Sequence, residues 1–367
     1  MSRMADDDEL DALQASCTRF LNGHGPQGAA QLLATIPEDT EPDRYGEGGV
    51  VPVLEAEVAE LLGKPAAVFL PSGTMAQQSV LRVHADRHGS RTVGFHPACH
   101  VDRHEGRGYE RLHALAGRPI GDPDRLLTLD DLDQVAEPLA ALVLELPQRD
   151  LGGQQPAWED LQAQAGWARD HGTALHMDGA RLWESAAGYG RAPGEVAALF
   201  DTVYVSFYKG IGALPGCCVA GPAEVIAQVR EWRRRMGGTL FGLWPNAASA
   251  RTCLGQRLPR MQAYLEHAVA VAAELAGLDG VQVVPDPPQV PMMHVLLRTS
   301  REAFAAAVRA LAEERGIWAA RPPSITGDPR MLRLELSVGE ATCALKPAEI
   351  RGIFARLAGA GEENGSA

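Results

Sequence analysis

Nothing in this sequence approaches the roughly 20 consecutive apolar residues of a membrane-spanning helix, so no membrane partner is expected. Basic residues are in deficit, 34 Lys and Arg against 47 Asp and Glu, for a formal net charge of −13. Such a surface repels phosphate backbones and anionic lipid, which argues against nucleic acid as a partner. The opening residues, Met1-Ser2-Arg3-Met4-Ala5-Asp6-Asp7-Asp8-Glu9, lack the apolar core of a secretory signal. Cysteine is scarce: Cys17, Cys99, Cys217, Cys218, Cys253 and Cys343 form neither a disulfide framework nor a CxxC pair. Free thiols in a reducing cytoplasm are the expectation. No internal repeat is present.

What the chain does have is apolar material, 46% of 367 residues, enough for a packed interior and more than one domain. Breakers crowd the first 49 residues, and the rhythm of strands and helices changes after about residue 245. The expected division is an N-terminal segment 1–49, a large domain 50–245, a smaller α+β domain 246–358 with a connecting helix, and a disordered tail 359–367. Short apolar runs read as buried strands at Ala66–Leu70, Thr92–Phe95, Ala140–Leu146, Thr173–Met177, Val203–Val205 and Gly216–Ala220. Helical segments separate most of them, for instance Val53–Leu62, Trp158–Asp170 and Ala223–Arg235. That alternation predicts an α/β fold with a mostly parallel central sheet covered by helices. A long helical stretch follows at about 247–276.

In such folds ligands sit beyond the carboxyl ends of the strands. Four residues with useful chemistry fall there: Thr74, His100, Asp178 and Lys209. Pro71-Ser72-Gly73-Thr74 opens a helix, whose N–H groups suit a phosphate, although a plain N-cap by Ser72 or Thr74 reads equally well. Ser206-Phe207-Tyr208-Lys209-Gly210 ends a strand in a hydroxyl and a lysine, a place where a lysine can condense with a carbonyl cofactor. His96, His100 and His104, with Glu105, offer a competing metal-site reading. Against it, Pro97 belongs at the start of a helix and leaves His96 outside.

The ordered combination resembles the low-specificity threonine aldolases, including the phenylserine aldolases, in the β-eliminating lyase group of fold type I enzymes. The motifs are Tyr45-Gly46-Glu47, Pro71-Ser72-Gly73-Thr74-Met75-Ala76, His100 with Glu105, Gly152-Gly153, His176-Met177-Asp178-Gly179-Ala180-Arg181, Ser206 to Gly216, and Arg233 to Gly238. The resemblance implies pyridoxal 5′-phosphate as cofactor, with Lys209 holding its aldehyde and Asp178 pairing with its ring nitrogen. Ser72, Gly73, Thr74 and Ser206 would belong to the cofactor site, and His100 would stack on the ring. Arg181 and Arg333 would bind the substrate carboxylate, with Gln148 on the substrate side. It implies a homotetramer and cleavage of L-β-hydroxy-α-amino acids to glycine and an aldehyde. β-Elimination, transfer of the aldehyde, and racemisation are alternatives on the same scaffold.

Four departures stand out. The family's N-terminal Arg-Ser-Asp is absent around Cys17–Asn22. Its Asn-Thr-His becomes Leu146-Pro147-Gln148, which removes a histidine facing the β-hydroxyl. Phe241 stands where an arginine is usual, and His294 where asparagine is. A less polar pocket at Leu146 and Phe241 leads to an expected preference for a bulky or aromatic aldehyde. His104 or a bound water is expected to replace the missing base.

Overall fold

A computed structural model describes residues 2–321, 323–326, 328 and 330–359. Two compact units emerge, one spanning residues 28–261 and the other joining the residues up to Gln27 with those from Gln262 on. The tail expected from residue 359 lies, apart from Gly359, outside the described residues.

The larger unit is built on one seven-stranded sheet. Its elements in chain order include helix α1 (Val50–Leu61), strand β1 (Ala66–Leu70), helix α2 (Gly73–His88), strands β2 (Thr92–Phe95), β3 (Ala116–Pro119) and β4 (Ala141–Glu145). Helix α3 (Trp158–Asp170), strands β5 (Ala174–Gly179), β6 (Thr202–Ser206) and β7 (Cys217–Gly221), and helices α4 (Ala223–Arg235) and α5 (Trp244–Arg257) follow. The strand order is β1-β7-β6-β5-β4-β2-β3. Every pairing is parallel except the two that β7 makes, with β1 and with β6.

The central strands are apolar on both faces because helices cover both. On one side α2 and α4 pack Val80, Val83, Val225 and Val229 against Val68, Leu70 and Val219. A second cluster joins Val93, Phe95 and Val143 to Val101, Tyr109 and Leu115. Helix α2 starts at an N-cap, Ser72, and stops at Gly89, whose φ of 69° favours glycine. Strand β3 falls in a stretch that reads as loop. It sits at the sheet edge, largely exposed and ending in Pro119, so it carries no buried apolar run. The long helix expected from about 247 to 276 is broken: α5 ends at Arg257, and a 3₁₀ turn at Leu258–Arg260 intervenes before Met261–Leu275. Pro259, which has no N–H to give the ladder, accounts for the break.

In the smaller unit, strands β8 (Val281–Val284), β9 (Met292–Arg298), β10 (Ser324–Ile325) and β11 (Met331–Ser337) form an antiparallel sheet in the order β10-β11-β9-β8. The N-terminal residues join this unit because Arg19–Phe20 pairs in parallel with Ile317–Trp318.

Candidate active site

The parallel strands place their carboxyl ends together, and a cavity of about 190 Å³ lies there in the larger unit. The loop and first turn after β1 contribute Ser72, Gly73 and Thr74, and the segment after β2 contributes His100 and Glu105. Asp178 comes from the end of β5, and Lys209 from just past β6. Tyr204, Tyr208 and Gln77 complete the wall. Gly73 is required by packing: a Cβ there would lie 2.3 Å from the Tyr204 hydroxyl.

Burial lowers the pKa of Lys209, a shift that Asp178 opposes and Arg181 reinforces. Asp178 Oδ1 accepts the backbone N–H of Ala180 at 3.2 Å, which fixes the carboxylate at the strand end. His100 donates from Nδ1 to Glu105 Oε1 at 3.1 Å. That bond raises the histidine pKa, while burial raises that of Glu105. Glu105 Oε2 is buried with no hydrogen-bond partner.

Glu145, beyond the cavity wall, is a residue that sequence reasoning passed over. It stands in register with Asp178 on the neighbouring strand. Its Oε2 accepts the N–H of His100 at 3.0 Å and Nε2 of Gln148 at 3.2 Å, and Oε1 accepts the N–H of Arg149 at 3.1 Å. Burial, and then Asp178, push it up to about 7. Its signal was an acid closing a buried strand at the end where Asp178 closes its own. Gln77, a polar residue one turn into α2, was passed over as well, and nothing local sets it apart.

Other expected site residues are placed differently. Ser206 Oγ donates to the carbonyl of Ala180 at 2.8 Å, tying β6 to the turn after Asp178 rather than lining the cavity. Gln148 is buried and turned onto the carbonyl of Ala98 and onto Glu145, also away from the lining. Leu146 is buried in the core at 2% exposure, whereas Phe241 is 67% exposed and packs edge-on against Tyr45. Arg333 belongs to the smaller unit, exposed on β11 opposite Leu296 of β9. His294 is buried on β9. His96 has both ring nitrogens engaged, by the carbonyls of Asp122 and Arg125 and the N–H of Ala98. His104 faces Asp150 at 3.5 Å.

Comparison with known proteins bears on the family and the fold. The family model described as beta-eliminating lyase matches residues 29–299. The low specificity L-threonine aldolase of Escherichia coli O157:H7 is 30% identical over 264 residues, covering 68% of this chain and 77% of that protein. Two solved structures share 36% identity and cover 95% of this chain and 99% of their own. One, from Listeria monocytogenes EGD-E, is assigned as an L-allo-threonine aldolase and superposes with a TM-score of 0.89. The other, from Exiguobacterium sp. 255-15, is assigned as an aromatic amino acid beta-eliminating lyase/threonine aldolase, with a TM-score of 0.88.

Proposed function

The chain belongs to the β-eliminating lyase family, and from that premise we propose that it is a fold type I lyase using pyridoxal 5′-phosphate to cleave Cα–Cβ of L-β-hydroxy-α-amino acids into glycine and an aldehyde. The convergence of Lys209, Asp178, His100 and Thr74 on one cavity carries this reading. The lining residues also fit the cofactor's polar groups, since they include a buried donor, Gln77 Nε2, and a buried carboxylate oxygen, Glu105 Oε2, that have no partner among the described residues. The start of α2, with the hydroxyls of Ser72 and Thr74, suits a phosphate.

When bound, the cofactor supplies an electrophilic aldehyde and a protonated ring that accepts the electron pair released at the substrate Cα. Lys209 would hold the aldehyde through Nζ, and its lowered pKa leaves more of the amine neutral and nucleophilic. Asp178, held by the Ala180 N–H, would keep the proton on the ring nitrogen. His100, in the lining, would pack against the ring, and Arg181, outside the lining, would by resemblance take the substrate carboxylate. The β-hydroxyl proton goes to Glu105, the one of these groups that combines a raised pKa with an unpartnered oxygen in the cavity wall. His104, turned to Asp150 and absent from the lining, is less suited to that role.

Leu146, buried in the core, lends no support to an aromatic aldehyde preference, so that preference rests on Phe241. Tyr45, Leu240 and Phe241 are 56%, 46% and 67% exposed, an apolar patch of the kind that meets another chain. A homo-oligomer, a tetramer by resemblance, would present Phe241 to a neighbouring copy, with phenylserine favoured over threonine. Aldehyde release from L-threonine, L-allo-threonine and L-phenylserine, coupled to an NADH-dependent reductase, tests the reaction. Lys209→Ala should abolish release and the visible band of lysine-bound cofactor. 2-Oxobutanoate from the threonines, phenylpyruvate from phenylserine, or a racemised amino acid in place of glycine and aldehyde would overturn the assigned cleavage.

A further inference from the structure

A buried polar chain runs from the interior of the larger unit into the cavity, and the roles above leave it unused. It begins at His84 on α2, whose Nε2 lies 2.9 Å from Oγ1 of Thr202 on β6. The same oxygen lies 2.8 Å from Nδ1 of His176 on β5. His176 Nε2 then meets Oε1 of Gln77 at 2.7 Å. Gln77 is 1% exposed and lines the cavity, while its Nε2 has no hydrogen-bond partner among the described residues.

The placement of the Gln77 carboxamide oxygen against His176 sets the direction of the chain. Burial brings both imidazoles down to about 3, so each is neutral, with one N–H and one bare nitrogen. With the carboxamide oxygen of Gln77 against His176, the histidine donates from Nε2 and its Nδ1 is bare. Nδ1 therefore accepts the single proton of the Thr202 hydroxyl, whose oxygen accepts the N–H of His84. In this direction each donor meets an acceptor, and the amide is held with its NH₂ group as the remaining end. Native interiors seldom leave such a buried donor unpaired.

Gln77 follows Thr74 by three residues and so shares its face of α2. His176 precedes Asp178 by two and shares its face of β5. The unpartnered donor is thus set between the residues assigned to the phosphate and the carboxylate assigned to the ring nitrogen. We propose that Gln77 is a cofactor-binding residue whose Nε2 donates to an oxygen of pyridoxal 5′-phosphate, with His176, Thr202 and His84 as the positioning residues that fix its orientation. The inference rests on the reading that this cavity takes that cofactor.

The test is titration of apoprotein with pyridoxal 5′-phosphate, read by calorimetry and visible absorbance, in wild type, Gln77→Leu, Gln77→Glu and Thr202→Val. Loss of a hydrogen bond to a charged group predicts roughly 10- to 100-fold weaker binding in Gln77→Leu, with apoprotein Tm little changed because the lost bond to His176 is offset by removal of the unpaired Nε2. Gln77→Glu keeps an oxygen for His176 but turns a second oxygen toward the cofactor, so it should bind no better than Gln77→Leu. If Gln77→Leu does not fold, this variant carries the test. Thr202→Val frees His176 to take either tautomer and should weaken binding several-fold. Pyridoxal lacking the phosphate locates the acceptor: an effect confined to the phosphorylated form marks the phosphate, and one shared by both marks the ring. Wild-type affinity in Gln77→Leu or Gln77→Glu would overturn the inference, and wild-type affinity in Thr202→Val would overturn the positioning role. Failure of the wild-type apoprotein to bind would instead overturn the cofactor reading.

Discussion

Glu145 is the residue at which the electrostatics of the strand ends become measurable as stability. Its pKa rises from the ordinary 4.5 to about 7, through burial first and the neighbouring Asp178 second. Because the raised value belongs to the folded chain, that chain retains between about 4.5 and 7 a proton that the unfolded chain has released. Ionising Glu145 in place therefore opposes folding. The penalty is absent below about pH 4.5, grows as the pH rises through the window, and is complete above about 7. The interval corresponds to about 3 kcal/mol. Glu145→Gln removes the titration but disturbs three bonds, since its single carbonyl oxygen cannot serve the donors from both His100 and Arg149 as the two carboxylate oxygens do. The resulting cost, about 1–3 kcal/mol, does not depend on pH. Glu145→Gln should thus melt below wild type at pH 4.5, and the gap should close or reverse by pH 8. At about 2–4 °C per kcal/mol for a unit of this size, the relative change is on the order of 10 °C. Scanning calorimetry of both apoproteins across that range provides the measurement. Parallel Tm curves would show that Glu145 does not titrate in the window, and the coupling to Asp178 would fall with it.

Three further outcomes follow from the geometry. Gly73→Ala puts a methyl group 2.3 Å from the Tyr204 hydroxyl, so cofactor affinity should fall at least tenfold, and adding Tyr204→Phe should restore part of it in the same apoprotein titration. His104→Ala should keep kcat/KM for phenylserine within about threefold of wild type, whereas Glu105→Gln should lower it by roughly 10²-fold or more; the opposite ranking would move the base role to His104. His96→Leu leaves two part-buried carbonyls and the buried N–H of Ala98 without their imidazole partner, which should cost about 1–3 kcal/mol in denaturant unfolding, and added zinc should not raise the wild-type Tm.

The sheet was legible because its strands are covered on both faces and so read as unbroken apolar runs; the exposed edge strand Ala116–Pro119 has no such run and stayed hidden. Lysine usage held an unused clue to the site. Only three lysines occur, Lys64, Lys209 and Lys346, so a lysine placed at the end of a buried strand is unusual in this chain. Polar type alone was a poorer guide. Ser206 and Gln148 have the donors expected of site residues, yet both serve backbone carbonyls, those of Ala180 and Ala98. Gln77 carries the same amide as Gln148 but has its oxygen occupied by His176 and its nitrogen unpartnered.

The contrast between the two glutamines shows where the limit lies. Each buried amide must find partners, and whether those are backbone, side chain or ligand depends on which groups the fold leaves unpaired nearby. At Gln148, the segment after β2 presents the Ala98 carbonyl and the end of β4 the Glu145 carboxylate, and the NH₂ group is consumed by them. At Gln77, the carboxamide oxygen meets a neutral imidazole whose other nitrogen is already committed to Thr202, and the NH₂ group is left without a partner among the described residues. Sequence spacing places both residues near the strand ends. The pairing of neighbouring backbone groups, which decides between strut and ligand contact, exists only once the chain has folded.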